Sequence, residues 1–333
     1  MTPKIWINFD PNGEDLSVLT NMLTEAEIEY HMELVANDDE DRIIHLASGC
    51  DAVICGLENW NRRTIPAVCK KTKFLLRFGT GFDSIDVPCA TEHGVLVGNI
   101  PGANAAAVAE IAMLHIMNLG RGFTRDYAGG PHGWNAGGMG NELAGKTIGL
   151  IGFGNISKQL RKMLSGFDVK VLAYDPYVKI DAAAYAVEVV MDYREIFRRS
   201  DFVSLHVPCT EETANMVCRE TLDMMKSSAF LINTARGGLI CEEDLLEALN
   251  SERIAGAGLD VCAVEPGVEG SKLIGAKNVV LTPHLGGRSY ESVIRSEKML
   301  GKALVDYFAG RVPFHALNLE VLGKQRRIIH GYA

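Results

Sequence analysis

Between Thr147 and Leu281, six short apolar runs alternate with helix-like stretches, and this rhythm constrains the fold more than any other feature of the sequence. The runs are Thr147–Ile151, Val169–Tyr174, Phe202–Val207, Ala229–Asn233, Gly256–Val261 and Val279–Leu281, and helical patterns such as Glu242–Leu249 separate most neighbours. Strands that are apolar along their whole length are buried on both faces. Joined by helices, they build a parallel sheet covered on each side.

A looser version of the same rhythm opens the chain. Lys4–Phe9, Asp51–Cys55, Phe74–Phe78 and Val95–Asn99 read as strands and Leu16–Leu23 as a helix, which predicts a small α/β lobe. Pro101 and Gly102 then punctuate the chain, and Asn104 is placed to cap a long Ala-rich helix reaching Leu119. A domain crossing is expected near residue 102. The glycine-rich stretch from Gly120 to Gly145 is weakly patterned and reads as an extended arm or a surface loop. From Tyr290 a long helix runs to Phe308, followed by a basic tail, and this last segment is expected to return to the first lobe. The length of 333 residues agrees with two domains of about 150 residues each, with a cleft between two lobes.

Composition removes several function classes. At 47% hydrophobic and 23% charged residues the chain is globular rather than disordered. A formal charge of −9, with no basic run beyond Lys70–Lys71, Arg198–Arg199 and Arg326–Arg327, gives no footprint for nucleic acid. The eight cysteines include no Cys-x-x-Cys pair and no signal-peptide pattern opens the chain, so reduced thiols and a cytoplasmic location are expected. The most apolar stretch, Ala105–Leu119, is interrupted by Glu110, His115 and Asn118 and is too short to span a bilayer. No His or Cys pair has ligand spacing, so no metal is expected.

The strand Thr147–Ile151 runs directly into Gly152-Phe-Gly154-Asn-Ile-Ser157, and a helical pattern follows. Gly-x-Gly alone is a weak signal, but its place between strand and helix strengthens it. Gly152 permits the tight turn, Gly154 lets backbone approach a pyrophosphate at the helix N-terminus, and the small Ser157 still allows close packing of helix on sheet. Asp175 closes the next strand, where a carboxylate accepts from a ribose 2′-hydroxyl and repels a 2′-phosphate. The expected cofactor is therefore NAD rather than NADP.

Three polar residues follow successive strands of this predicted sheet. Arg236 comes after Asn233–Thr234, Glu265 after Val261 and His284 after Leu281. Ligands of open parallel sheets bind outside the carboxyl ends of the strands, so the three side chains are expected at one edge, together with the glycine loop. Arginine offers a fixed fork to a carboxylate or a polarised carbonyl, histidine carries one proton near neutrality, and a neighbouring glutamate holds the imidazole and raises its pKa. With a nicotinamide, this set describes reduction of a 2-oxo acid to a 2-hydroxy acid. Taken singly, each residue would be unremarkable in a loop. His206, also at a strand end, reads as structural or as lining the cofactor site, and His93, His115 and His132 as surface or satisfied core.

At these residues the chain resembles the D-isomer-specific 2-hydroxyacid dehydrogenase family, especially its phosphoglycerate dehydrogenase-like branch. The matching segments are Arg77-Phe-Gly79-Thr80-Gly81-Phe-Asp83-Ser-Ile-Asp86, Asn99-Ile-Pro101-Gly102-Ala-Asn104 with Val108-Ala109-Glu110, Gly152-Phe-Gly154, Asn233-Thr234-Ala235-Arg236-Gly237-Gly238, Gly258-Leu-Asp260-Val261 with Glu265-Pro266, and Thr282-Pro283-His284. The resemblance implies a two-domain α/β fold. A Rossmann-type, doubly wound parallel sheet (103–290) binds NAD and is inserted into a smaller flavodoxin-like substrate domain (1–102 and 291–333). It further implies a homodimer, with Arg236 orienting the substrate, His284 transferring the proton and Glu265 as its partner. Arg77 and the backbone amides of Gly79, Thr80 and Gly81 would meet the substrate. Gly152, Gly154, Asn155, Ile156, Asp175, Pro208, Thr213, Thr234, Ala235, Arg236, Asp260, His284, Gly286 and Gly287 would line the cofactor.

One departure bears on the substrate. Phosphoglycerate enzymes carry a phosphate-binding arginine after the strand corresponding to Asp51–Cys55, whereas this chain reads Gly56-Leu57-Glu58, with Arg62 and Arg63 as the nearby replacements. The regulatory domain that many of those enzymes append is not expected here, nor is feedback by serine. A second reading stays open at this point: an NAD(H)-sensing, non-catalytic interaction module of the corepressor type, which resembles the family at the same positions.

Overall fold

The computed structural model describes residues 2–13, 15–123, 139–265 and 271–323. The chain forms two compact units, residues 1–104 with 289–333, and residues 105–288.

The smaller unit is built on five parallel strands: β1 (Lys4–Ile7), β2 (Glu29–Met32), β3 (Ala52–Cys55), β4 (Phe74–Arg77) and β5 (Leu96–Gly98). Their order, β2-β1-β3-β4-β5, is that of flavodoxin-like sheets. Successive strand residues face opposite sides, so one sequence feeds two cores. Ile5, Ile7, Ile54 and Leu76 pack against Leu19 and Leu23 of the helix Ser17–Glu25 and against Leu300 and Leu304 of the helix Tyr290–Phe308. Trp6, Val53 and Leu75 point the other way, onto Ile43, Ile65 and Cys89. Each large aliphatic side chain buried in this way contributes about 1.5–3 kcal/mol, so both chain ends are needed to complete the unit.

The larger unit holds seven parallel strands: β6 (Thr147–Ile151), β7 (Lys170–Tyr174), β8 (Glu188–Val189), β9 (Phe202–Leu205), β10 (Phe230–Asn233), β11 (Gly256–Leu259) and β12 (Val279–Leu281). The order β12-β11-β10-β9-β6-β7-β8 reverses between β6 and β9, which is the Rossmann arrangement extended by one strand. The expected α/β class, with a doubly wound sheet and a flavodoxin-like partner, is the one found.

Two strands have no counterpart in the apolar pattern. Both β2 and β8 are edge strands; β2 is exposed along most of its length and β8 has only two residues, so neither carries a continuous apolar run. Most of the arm expected between Gly120 and Gly145, and the basic tail after residue 323, lie outside the described residues. Among the described residues, no helix is long and apolar enough to cross a membrane.

Candidate active site

In the larger unit, the loop between β6 and the helix Asn155–Met163 carries the two glycines in different roles. Gly152 has φ +90°, and a Cβ there would lie 2.5 Å from the His206 carbonyl oxygen, so both backbone state and space demand glycine. The buried Ser157 donates its hydroxyl to the Gly152 carbonyl at 2.6 Å, which explains how serine fits at the third position of the motif. Gly154 is the N-cap in extended conformation, and a Cβ on it would meet nothing within 4 Å. Open space therefore lies above the helix N-terminus, whose first amides have no intrahelical acceptor. Asn155 and Ile156 open that helix, and Ile156 packs partly into the core.

Asp175 follows β7 directly. Its Oδ2 accepts from Phe153 N at 2.8 Å and its Oδ1 from the amides of Tyr177 and Val178 at 2.9 Å, so the carboxylate is fixed beside the glycine loop. At the ends of β9 and β10, on the other side of β6, Nδ1 of His206 and Oγ1 of Thr234 are buried and have no hydrogen-bond partner. His206 Nε2 lies 3.0 Å from Ser204 Oγ, and burial pushes the imidazole pKa down to about 4, so the ring is neutral. Two orphaned polar atoms, an open N-terminus and an oriented carboxylate at one sheet edge fit a dinucleotide such as NAD. Pro208 and Thr213 stand on the same side of the chain after β9, joined by a 2.7 Å bond from Thr213 Oγ1 to the Pro208 carbonyl.

The chemical residues converge at neighbouring strand ends. Asn233, the last residue of β10, ties the next turn through bonds to the Arg236 carbonyl (2.8 Å) and from Ala235 N (3.0 Å), while Arg236 Nη1 donates to the Ala235 carbonyl. Glu265 takes the Cys262 amide on Oε1 at 3.0 Å and faces His284 Nδ1 with Oε2 at 2.5 Å. Burial pushes the Glu265 carboxyl up, but the bonds to His284 and Cys262, with the charges of His284 and Arg236, outweigh it and leave the group below its ordinary value. The Glu265 hydrogen bond raises His284 against the opposing effect of burial; the charges of Glu265 and Asp260 add to it and Arg236 subtracts. Arg236 thus lies within electrostatic reach of both partners.

His284 stands at φ +51°, a left-handed state uncommon for any residue but glycine. The buried Asp260 carboxylate brackets it: Oδ1 accepts from Thr282 Oγ1 at 2.5 Å and from Leu285 N at 2.8 Å, and Oδ2 from Gly286 N at 2.7 Å. Asp260, which the family resemblance implies at the cofactor, has both carboxylate oxygens engaged by the turn. Gly287 follows in the same loop. His115, expected as surface or satisfied core, is buried with Nε2 3.1 Å from Thr282 Oγ1 and Nδ1 without a partner, a pairing across 167 residues that local sequence pattern does not record.

In the smaller unit, the Gly79–Gly81 loop follows β4. Asn99 donates to the Thr80 carbonyl at 2.7 Å, Thr80 Oγ1 donates to Asn104 Oδ1 at 3.3 Å, and Gly79 has φ +146°. Arg77 turns its Nη1 onto the Phe78 carbonyl. The buried Glu58 is held by Asn8 and Trp60, while Arg62 pairs with Glu92 and Asp86, and Arg63 with Glu40 and Asp41. Among the described residues, no cluster of His, Cys, Asp and Glu is arranged to hold a metal.

The sequence profile of the D-isomer specific 2-hydroxyacid dehydrogenase NAD binding domain matches residues 112–286. The chain belongs to the D-isomer specific 2-hydroxyacid dehydrogenase family. It is 36% identical over 307 residues to the hydroxypyruvate reductase of Thermotoga maritima, covering 91% of this chain and 96% of that protein. It is 32% identical over 323 residues to the D-3-phosphoglycerate dehydrogenase of Methanocaldococcus jannaschii, covering 95% of this chain but only 60% of that longer enzyme. Among solved structures, the holo form of Rhodotorula graminis D-mandelate dehydrogenase superposes with a TM-score of 0.84 at 27% identity, covering 95% of this chain and 97% of that one.

Proposed function

We propose that this NAD-dependent D-2-hydroxyacid dehydrogenase acts on small 2-oxo acids without a phosphate group. The observation that carries the chemistry is the 2.5 Å contact between Glu265 and His284, within electrostatic reach of Arg236 and at the sheet edge that bears the glycine loop. The substrate class is supported by the loop after β3, where Gly56-Leu57-Glu58, with Glu58 buried, stands in place of a phosphate-binding arginine, and where the nearby Arg62 and Arg63 already have acidic partners at the surface.

NADH, held by the Gly152–Gly154 loop and Asp175, would supply a hydride for C2 of the oxo acid. Glu265 accepts from Nδ1–H of His284, which leaves Nε2 to deliver a proton to the carbonyl oxygen as charge develops on it. Arg236 stabilises that charge, a contribution of about 3 kcal/mol for a well-placed donor. In the oxidative direction His284 takes the proton back. Asp175 would receive the ribose hydroxyls, Gly154 and the amides after it the pyrophosphate, and the unpartnered atoms of Thr234 and His206 would face the nucleotide. The amides of the Gly79–Gly81 loop are assigned to the substrate carboxylate. In this reading residues 103–290 form the NAD-binding domain and residues 1–102 with 291–333 the substrate-binding domain. The enzyme works in the cytoplasm as a homodimer.

The test is NADH oxidation with glyoxylate, hydroxypyruvate and 3-phosphohydroxypyruvate, with NADPH in parallel. Turnover is expected with the two unphosphorylated acids and NADH, and His284→Asn should lower it by about 10²–10⁴-fold. A marked preference for the phosphorylated acid would overturn the substrate class. Near-normal turnover by His284→Asn would overturn the proton-transfer assignment. Tight NADH binding without turnover on any acid would favour a nucleotide-sensing module.

A further inference from the structure

Behind the His284 turn lies a buried histidine that the reaction does not use. His115 sits on the helix Ala105–Arg121 and is 0% exposed. It reaches β11 because Gly258 lacks a side chain: a Cβ there would fall 2.8 Å from His115 Cβ and Cγ and 2.9 Å from its Nδ1. From that position His115 Nε2 lies 3.1 Å from Thr282 Oγ1, which in turn lies 2.5 Å from Asp260 Oδ1.

The proton positions follow from the distances. A threonine hydroxyl has one hydrogen, and two oxygens at 2.5 Å require it between them, so Thr282 donates to Asp260. The hydroxyl is then an acceptor toward His115, whose Nε2 carries the hydrogen. That choice leaves His115 Nδ1 as a buried lone pair without a partner. Burial lowers the pKa of His115, opposed only by the charge of Asp260, so the ring is neutral at pH 7. An unpaired polar atom in a core is destabilising, and an aliphatic side chain at this helix position would avoid it. The Nε2 contact is what the imidazole provides in exchange.

That contact leads directly to the turn. Besides Thr282, the Asp260 carboxylate holds the amides of Leu285 and Gly286, and its backbone carbonyl accepts from His284 N at 3.0 Å. The residues on both sides of the left-handed His284 are therefore fastened to one carboxylate, and that carboxylate is fastened through Thr282 to His115. We propose that His115 is a positioning residue: by donating to Thr282 Oγ1 it fixes the hydroxyl that clamps Asp260, and with it the turn that presents His284 to Glu265. The inference rests on the reading of His284 as the proton-transfer residue.

The test compares His115→Leu and Thr282→Val with the conservative His115→Gln and Thr282→Ser. Three quantities are read: kcat for reduction, the Kd for NADH, and the titration of His284 by histidine-resolved NMR, assigned with His284→Asn. His115→Leu and Thr282→Val should each lower kcat by about tenfold or more, because a small misplacement of the proton donor is costly. Their NADH affinity should fall by less than kcat, because the Gly152–Gly154 loop and Asp175 are untouched, and an affinity loss as large as the loss of kcat would overturn a positioning role for His115. Their His284 titration should move to lower pH as the Glu265 bond loosens, with Asp260 and Arg236, the other charged groups facing it, retained. His115→Gln and Thr282→Ser, which keep the donor and the hydroxyl, should recover most of both effects. Wild-type kcat and an unshifted His284 titration in His115→Leu and Thr282→Val would overturn the proposal. So would a folded His115→Gln as impaired as His115→Leu. Should His115→Leu not fold, the near-isosteric Thr282→Val decides alone. A wild-type protein inactive on every acid would refute the functional reading, and the His284 titration would still report whether His115 positions it.

Discussion

The two glycines of the β6 turn should respond to alanine in different ways. At Gly152 a methyl group meets two obstacles: a backbone at φ +90°, and a carbonyl oxygen 2.5 Å from the Cβ position with Val207 Cγ1 2.9 Å away. That oxygen belongs to His206, whose own amide bonds Ile151 O at 2.7 Å, so the neighbouring chain cannot retreat without breaking a bond next to the sheet. The left-handed backbone costs an L-residue about 1–2 kcal/mol and overpacking about 1–3 kcal/mol, so Gly152→Ala should destabilise by about 2–5 kcal/mol. For a unit of this size the melting temperature should fall by about 5–20 °C. Gly154, extended and with nothing within 4 Å of its Cβ position, meets neither obstacle. Gly154→Ala should melt close to wild type, the gain of up to about 1 kcal/mol through the unfolded chain being offset by alanine's weakness as an N-cap. It should nonetheless bind NADH more weakly, because the methyl enters the space assigned to the pyrophosphate. Calorimetry of both variants, with NADH fluorescence titration, separates the effects. A Gly152→Ala melt within about 2 °C of wild type would refute the close-approach argument. Wild-type NADH affinity in Gly154→Ala would refute the cradle.

Two further predictions concern pH. Glu265 raises His284, and reduction needs the protonated ring, so the rate should decline as pH rises through the His284 pKa; Glu265→Gln should shift that decline to lower pH, and an unmoved kcat/KM profile would remove Glu265 from the mechanism. His206 titrates at about 4 when folded against 6.5 ordinarily, so between those values the unfolded chain binds a proton that the folded ring refuses. Stability should therefore fall as pH drops through that window, by about 3 kcal/mol in all, and urea denaturation of His206→Gln should lack this component; equal slopes for the two proteins would contradict the burial argument.

Features written in runs of residues were legible in the sequence. Continuous apolar strands record burial on both faces, and Gly152, Gly154 and Asp175 record a turn, a helix start and a strand end close together in the chain. The strand-end rule was also enough to gather Arg236, Glu265 and His284 at one edge before any coordinates, and the structure brings Glu265 and His284 into contact. What escaped was either short or distant. The strands β2 and β8 lie at sheet edges, where one side needs no partner strand and no apolar run is required. The link from His115 to Thr282 joins residues whose neighbours in sequence carry no trace of each other, and the left-handed His284 is held between bonds to Asp260 that local sequence does not record. Likewise Arg62 and Arg63 read as available cations until their acidic partners, on other elements, are seen.

The smaller unit also has a history in time. Its sheet is complete by Gly98, yet the helix that covers Leu19 and Leu23 spans Tyr290–Phe308, and the buried Glu297 reaches back to the Leu19 amide across 278 residues. During synthesis at about 5–20 residues per second, roughly 10–40 s pass while the intervening unit is made. Throughout that interval one face of a finished sheet is covered only in part, by the helix Ser17–Glu25, and lacks the side chains of Leu300 and Leu304, while the larger unit, continuous in the chain, can fold first. The nascent chain is thus committed to a waiting period with an apolar surface exposed, a natural station for a chaperone and the stage at which slow or interrupted translation would do most harm.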